Sequence, residues 1–187
     1  MSLTPSSYSI LKKGSPAPAF SLPGTDGKTH SLQEAKGAKA TLVVFMCNHC
    51  PYVIPKMEFL KKLHDKYNGQ GLAMFGINSN DTQAFGEDDF KHMKKIAKEK
   101  GFGFAYLLDE TQNVARAYGA ACTPDPFLFD SEMKLAYHGR IDDAHRQAHE
   151  QATTNELDEA VKQALEEKKV TVKEEPSMGC NVKWKSQ

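Results

Sequence analysis

Two cysteines, Cys47 and Cys50, are the residues of this 187-residue chain whose types and spacing most directly suggest chemistry. They are separated by two residues and directly follow the apolar run 42–46, whose β-branched and aromatic side chains predict a buried strand. A helical pattern comes next, which places the pair at a helix N-terminus. Backbone N–H groups and the helix dipole stabilise a thiolate there, and the thiolate is the nucleophile. The spacing therefore predicts electron-pair exchange between sulfur atoms.

Asn48 and His49, the residues between the two cysteines, are candidates for tuning the pair. A partly positive imidazole at His49 would stabilise a neighbouring thiolate and make the pair a better oxidant. A solvent-exposed histidine can equally have no effect, so both interpretations stay open. The remaining cysteines, Cys122 and Cys180, are candidate accessory thiols, each with the alternative of an unreactive side chain.

Composition excludes several classes of partner. Lys plus Arg (24) balances Asp plus Glu (24), so we expect no nucleic-acid partner and no anionic membrane surface. The longest apolar stretch has about eight residues, whereas crossing a bilayer takes about 20. No signal-like segment opens the sequence, which predicts a cytoplasmic protein; export stays open, since a truncated native N-terminus would lack such a segment. Four cysteines are too few for a disulfide-stapled scaffold and favour redox or metal use.

The elements around the pair predict an α/β fold. We expect a flexible lead-in over 1–14, one domain over 15–169, and a tail over 170–187 that can fold back on it. Strands are predicted over 19–22, 29–32, 41–46, 72–77, 104–108, 127–130 and 134–138, and helices over 51–67, 87–100, 111–118 and 155–168. This order predicts a mixed central sheet flanked by helices, with the first two strands as an N-terminal β-hairpin.

The combined motifs resemble a known family. Besides Cys-Asn-His-Cys-Pro at a helix start, the matching features are Pro55, Thr123-Pro124 before a core strand, and the segments 18–32, 139–143 and 179–184. The chain resembles the thioredoxin fold and, within it, the peroxiredoxin-like group of the alkyl hydroperoxide reductase/thiol-specific antioxidant (redoxin) superfamily. The resemblance implies a cis Pro124 facing the cysteines, with the backbone of Thr123 docking an extended substrate. Pro55 is expected to kink the active-site helix.

Two mechanisms compete under this resemblance. In the thioredoxin-like mechanism, Cys47 attacks a substrate disulfide and Cys50 resolves the mixed disulfide. In the peroxidase-like mechanism, Cys50 is oxidised to a sulfenic acid and condenses with Cys47. The family's peroxidases have a hydroxyl residue three positions before the peroxidatic cysteine, where Cys47 stands, and an arginine that falls at about Pro124. We therefore expect a thiol-disulfide oxidoreductase in which Cys47 attacks, with peroxidase activity as the alternative.

This expectation includes a protein disulfide or dithiol substrate, a thioredoxin-type reductant, and no cofactor or metal. Copper or zinc binding is a second alternative, because Cys47, His49 and Cys50 supply sulfur and imidazole donors. A structural zinc site would need a second ligand pair, which the sequence lacks.

Three charged side chains need a role in this scheme. Glu58 and Asp81 are the candidates for a buried proton acceptor, each with a solvated-surface alternative. Arg140 could substitute for the missing peroxidase arginine, but we expect it to pair with Asp142 or Asp143.

Overall fold

The computed structural model describes residues 3–186. Its strands are β1 (Leu3–Pro5), β2 (Ser21–Pro23), β3 (Thr29–Ser31), β4 (Ala40–Phe45), β5 (Leu72–Asn78), β6 (Ala105–Leu108), β7 (Cys122–Thr123), β8 (Asp125–Phe129), β9 (Leu135–His138) and β10 (Met178–Asn181). Its α-helices are α1 (Met57–Tyr67), α2 (Phe90–Lys100), α3 (Asn113–Tyr118) and α4 (Glu156–Leu165). Within the described part of the chain, no helix has the length and apolar character needed to cross a membrane.

The central sheet has the strand order β6-β5-β4-β8-β9. β4 runs parallel to β5 and antiparallel to β8, so the sheet is mixed. Alternate residues of β4 enter two apolar clusters: Leu42 and Val44 pack with α1, α2 and α4, and Val43 and Phe45 pack with α3 and the β2–β3 hairpin. Helices thus cover both faces of the sheet. The predicted thioredoxin-like α/β fold with an N-terminal hairpin is confirmed.

Pro55 does not kink the active-site helix. A 3-10 turn spans Ile54–Lys56, and α1 begins at Met57 rather than at the predicted Pro51. Proline lacks a backbone N–H and is tolerated in the first turn of a helix, where that N–H would have no intrahelical partner. Pro55 therefore starts the helical segment, and the expected kink is wrong.

α2 also begins later than predicted. The Asp89 carboxylate accepts a hydrogen bond of 2.8 Å from the backbone N–H of His92, which caps the helix at this point. The preceding residues Gly86–Asp88 form a separate 3-10 turn. This turn packs against the cysteine motif, as described below.

The two ends of the chain meet in a second sheet, with the order β1-β10-β7. β1 pairs with β10, and the pairing extends through a 2.9 Å hydrogen bond from Ser6 N–H to the carbonyl of Ser177. The lead-in expected over 1–14 therefore contains a paired strand at Leu3–Pro5, and its first two residues, Met1 and Ser2, lie outside the described residues. Such a short strand has no periodicity to reveal it, and its hydrogen bonds come from the opposite end of the sequence.

β10 approaches β7 unusually closely at Gly179. A Cβ atom added there would lie 2.0 Å from the carbonyl oxygen of Thr123 and 2.7 Å from its carbon. Only glycine leaves room for this backbone contact. Gly179 is thus the residue that allows the C-terminal strand to lie against Thr123.

We expect Gly179→Ala to loosen β10, because the added methyl group and the Thr123 backbone cannot occupy the same space. Overpacking of this kind costs about 1–3 kcal/mol. Native-state hydrogen exchange should show lower protection of the amides of residues 178–182. Gly69→Ala is the matched control, since a Cβ at Gly69 meets no atom within 4 Å. Equal protection in both variants would contradict this account of the contact.

Candidate active site

Cys47 and Cys50 bracket the loop that joins β4 to the first helical turn. Met46 donates the last hydrogen bond of the β4 edge, to the carbonyl of Ile77, and Cys47 follows it. The carbonyl of Cys50 accepts hydrogen bonds from the N–H groups of Val53 (2.9 Å) and Ile54 (3.0 Å). Cys50 therefore begins the first turn of the helical segment. Both side chains are buried, and no disulfide joins them.

Thr123 and Pro124 face the cysteine pair. The peptide bond between them is cis, as the resemblance implies. The Thr123 hydroxyl lies 3.6 Å from Sγ of Cys47, and its carbonyl oxygen lies 3.2 Å from Sγ of Cys50. In its protonated form, Cys50 donates to this carbonyl. One residue thus contacts both sulfur atoms.

The reduced pair shares its proton unequally. A hydrogen bond from the Cys47 thiol, together with the Thr123 hydroxyl and the backbone N–H groups of Cys180 and Tyr52, outweighs burial and lowers the pKa of Cys50 to about 5. The same bond to Cys50 raises the pKa of Cys47 well above its usual value, and burial and the charge of Asp88 raise it further. Cys50 is therefore the more acidic of the two thiols.

This distribution differs from the expectation that Cys47 attacks. The hydrogen bond between the two sulfur atoms favours the anion at Cys50, where the backbone N–H groups of Cys180 and Tyr52 also stabilise it, while burial and the charge of Asp88 disfavour an anion at Cys47. Because its pKa is the lower of the two, Cys50 is the thiol that ionises first, and the thiolate is the nucleophile.

His49 is held by a buried carboxylate. Its Nδ1 atom lies 2.7 Å from Oδ2 of Asp88, and its ring stacks on Phe85 with centroids 5.8 Å apart. Asp88 raises the pKa of His49, and the thiolate of Cys50 acts in the same direction. The interpretation of His49 as a solvent-exposed side chain is therefore wrong. A protonated His49 contributes positive charge beside the pair.

Asp88 is the residue that the sequence analysis missed. Its carboxylate accepts hydrogen bonds from Asn48 N–H (2.8 Å) and from the Asn80 amide (2.7 Å). Burial opposes its ionisation, but these donors and His49 outweigh burial, so its pKa lies below the usual value. The sequence candidates lie elsewhere. Glu58 is exposed, and the Asp81 carboxylate accepts a backbone hydrogen bond within its own turn.

Asn48 ties the cysteine loop to its surroundings. Its amide nitrogen donates to the carbonyl of Glu87 (2.9 Å), and its amide oxygen accepts from the hydroxyl of Tyr106 (3.0 Å). These contacts join the loop to the 86–88 turn and to β6. In this structure, Asn48 positions the loop.

The two accessory thiols have different surroundings. Sγ of Cys122 lies 3.7 Å from the carbonyl of Pro124 and 3.8 Å from that of Ser177, and burial raises its pKa strongly. This environment favours the interpretation of Cys122 as a buried, unreactive side chain. Cys180 instead lies opposite Thr123 in the antiparallel pairing of β10 with β7, and its thiol shares a hydrogen bond with the sulfur of Cys50. The structure thus brings three thiols together.

A donor set for a metal ion also lies here. One atom each from Cys47, His49 and Asp88 lies within 4.8 Å of the others. This set differs from the one expected from the sequence, because Asp88 takes the place of Cys50. The imidazole and the carboxylate are already paired with each other, so binding a metal would require them to separate.

Arg140 does not pair with Asp142 or Asp143. It forms two hydrogen bonds with Glu156, at 2.8 and 2.5 Å. Asp142 is engaged with the buried ammonium group of Lys56 at 2.6 and 2.7 Å. The expected pairing is wrong because a buried lysine already neutralises the nearer carboxylate.

The reduced protein should show a thiolate titration with a midpoint near pH 5, followed by ultraviolet absorbance. The thiolate fraction rises as pH rises through this value. Cys50→Ser should abolish the transition, and Cys122→Ser should leave it unchanged, because the Cys122 thiol has a raised pKa. Loss of the transition in Cys47→Ser but not in Cys50→Ser would assign the thiolate to Cys47.

Asp88→Asn should lower the pKa of His49, because the imidazolium loses its anionic partner. NMR titration of the His49 ring protons measures the shift. Glu58→Gln is the control, since this exposed carboxylate should leave the titration unchanged. An unaltered midpoint in Asp88→Asn would show that the contact does not stabilise the charged ring.

The sequence and fold are similar to those of known proteins. A hypothetical protein from Sinorhizobium meliloti 1021 has a solved structure with a TM-score of 0.93 and 44% identity, and the match covers 98% of this chain and 100% of that one. Thiol-disulfide oxidoreductase ResA of Geobacillus thermodenitrificans is 27% identical over 65% of this chain and 66% of its own length, just under two thirds. Peroxiredoxin Q of Triticum aestivum is 30% identical over 58% of this chain and 46% of its own length. Residues 12–158 match the Redoxin family, and this protein belongs to it.

Proposed function

We propose that this protein is a thiol-disulfide oxidoreductase that exchanges electrons through the Cys47-Cys50 pair. The observation that carries the proposal is the arrangement at Thr123, whose hydroxyl and carbonyl oxygen lie 3.6 and 3.2 Å from the sulfur atoms of Cys47 and Cys50, beside the cis Pro124. It supplies a thiolate and a second thiol within reach of each other. The relatives named thiol-disulfide oxidoreductase ResA support the same class of reaction.

The geometry favours attack by Cys50. Its thiolate attacks one sulfur of a substrate disulfide, which forms a mixed disulfide and releases a substrate thiolate. Cys47 then gives its proton to that thiolate and attacks Sγ of Cys50. The Cys47–Cys50 disulfide forms, and the second substrate sulfur leaves with the electron pair. One disulfide is reduced and one is formed.

The acid–base properties of the site favour an oxidising pair. A cysteine with a low pKa leaves a disulfide readily as a thiolate. The disulfide that contains Cys50 is therefore readily reduced. The positive charge of His49 acts in the same direction, because it stabilises the thiolate of the reduced form. The pair would then pass its disulfide on to a dithiol, or receive electrons from a thioredoxin-type reductant.

The partners follow from this chemistry. Protein thiols or disulfides are the proposed substrates, and the balanced charge of the chain offers no attraction to nucleic acid or an anionic membrane. A cytoplasmic location stays a prediction from the sequence. Cell fractionation, with trapping of the redox state of Cys47 and Cys50, tests it.

A Cys47→Ser/Cys180→Ser variant should trap mixed disulfides with protein substrates on Cys50, because no neighbouring thiol is left to resolve them. Cys50→Ser should trap none, and Cys122→Ser should turn over like the wild type. Acid quenching, alkylation and mass spectrometry identify the linked cysteine. Adducts found on Cys47 in Cys50→Ser, and absent from Cys50, would restore the order expected from the sequence.

Peroxidase activity is the second candidate. It is favoured by the low pKa of Cys50 and by the similarity to peroxiredoxin Q. Against it, the contacts of the three arginines are with groups other than the sulfur atoms. Their partners are Trp184 for Arg116, Glu156 for Arg140 and the Tyr52 ring for Arg146. Rapid formation of a sulfenic acid on Cys50 with hydrogen peroxide, and slow reaction with disulfides, would favour this candidate.

Metal delivery is supported only by the donor set of Cys47, His49 and Asp88. It predicts stoichiometric copper or zinc in protein purified from cells. Asp88→Asn would abolish this binding, whereas Cys50→Ser would not.

A further inference from the structure

The C-terminal strand β10 occupies the backbone edge that faces the redox pair. Its register places Cys180 opposite Thr123 and Asn181 opposite Cys122, in antiparallel pairing. Extended peptides commonly bind proteins by adding a strand to an exposed edge. Here a segment of the same chain already holds that position, so β10 has the geometry of a tethered substrate.

The contact between β10 and the pair is specific. Gly179 allows the strand to approach, because any larger residue would collide with the Thr123 carbonyl. The backbone N–H of Cys180 donates to the sulfur of Cys50, and its thiol shares a second hydrogen bond with the same atom. The sulfur of Cys50 therefore has two thiol neighbours, Cys47 from its own loop and Cys180 from β10.

β10 is held firmly at both ends. Before it, the Ser177 hydroxyl donates a 2.6 Å hydrogen bond to the carbonyl of Pro124. After it, the N–H of Val182 donates to the carbonyl of Ala121 (3.0 Å), and the N–H of Lys183 donates to the side-chain oxygen of Asn80 (2.9 Å). These bonds keep Cys180 beside Cys50 while substrate thiols bind and leave.

The proton on Cys180 depends on the redox state of Cys50. In the reduced protein, burial and the neighbouring Cys50 raise the pKa of Cys180 to about 11. The negative charge of Cys50 disappears when its sulfur enters a disulfide. Cys180 then loses its proton more easily, at the moment when the sulfur beside it becomes an electrophile.

We propose that Cys180 is a third redox residue, which exchanges with the oxidised Cys47–Cys50 pair. The Cys180 thiolate attacks Sγ of Cys50. The Cys50–Cys180 bond forms, the Cys47–Cys50 bond breaks, and Cys47 leaves with the electron pair and takes up the proton that Cys180 lost. The step needs no external oxidant, and it rests on the proposed function, which supplies the oxidised pair.

The test uses the full chain and oxidised glutathione. In Cys47→Ser, glutathione adds to Cys50, and Cys180 should displace it and leave a Cys50–Cys180 disulfide. In Cys47→Ser/Cys180→Ser, the glutathione should remain on Cys50. The contact between the thiols should make release about tenfold or more faster in the single variant. Peptide mass spectrometry after acid quenching and alkylation measures both species.

Two further variants separate the thiol from its position. Cys47→Ser/Cys122→Ser should release glutathione like Cys47→Ser, because Cys122 contacts backbone carbonyls instead. Cys47→Ser/Gly179→Ala retains Cys180 but displaces β10, and should release glutathione more slowly. Equal persistence of the adduct in Cys47→Ser and Cys47→Ser/Cys180→Ser would overturn the role of Cys180.

Failure of the proposed function would look different. In that case, Cys50 would take up no glutathione in any variant, and the wild type would form no Cys47–Cys50 disulfide. If the wild type forms that disulfide and Cys50 takes up glutathione, but no Cys50–Cys180 disulfide is found, only the role of Cys180 is refuted.

Discussion

The position of one negative charge, on the sulfur of Cys50, determines how the rest of the site is built. A buried thiolate is stable only where donors compensate for lost water, and the Cys47 thiol, the Thr123 hydroxyl and two backbone N–H groups do so here. These donors come from three separate parts of the chain, namely the cysteine loop with its first turn, β7 and β10. The core sheet places Cys47 after β4, and Thr123 contacts both sulfur atoms beside the cis Pro124. The low pKa of Cys50 therefore depends on the fold, because the fold brings these donors together.

The second sheet follows from the same constraint. One of the backbone donors belongs to Cys180, so the thiolate requires β10 to lie against β7. β10 in turn has β1 on its other side, which gives a structural role to the first residues of the chain. The resemblance to the thioredoxin fold implies an exposed backbone at Thr123, the residue before the cis proline. In this protein the edge is paired, and the residue that meets the redox sulfur carries a thiol of its own.

The sequence predicted what depends on local patterns. The cysteine motif, the buried β4 and the hairpin are each encoded within a few neighbouring residues. Prediction from the sequence failed for features that depend on contacts between residues far apart in the chain. Asp88 is one of several acidic residues around a helix start, and only folding reveals that it is buried against His49. β1 and β10 are too short to show a period, and their pairing joins the two ends of the chain. Which cysteine has the lower pKa also depends on such a distant contact, because the backbone N–H of Cys180 in β10 is one of the donors to Cys50.

The hydrogen bond from Cys180 N–H to the thiolate links the redox state to the C-terminal strand. Hydrogen bonds to charged groups contribute about 1.5–3 kcal/mol, roughly twice the value for neutral partners. Oxidation of Cys47 and Cys50 removes the charge and weakens this one hydrogen bond, whereas the hydrogen bonds of Ser177, Val182 and Lys183 that flank Cys180 do not involve the pair. Because linkage is reciprocal, the strand that binds the reduced form better also makes that form more stable. β10 therefore makes the pair more oxidising, and the hydrogen bonds on either side of Cys180 keep that thiol beside Cys50 after oxidation.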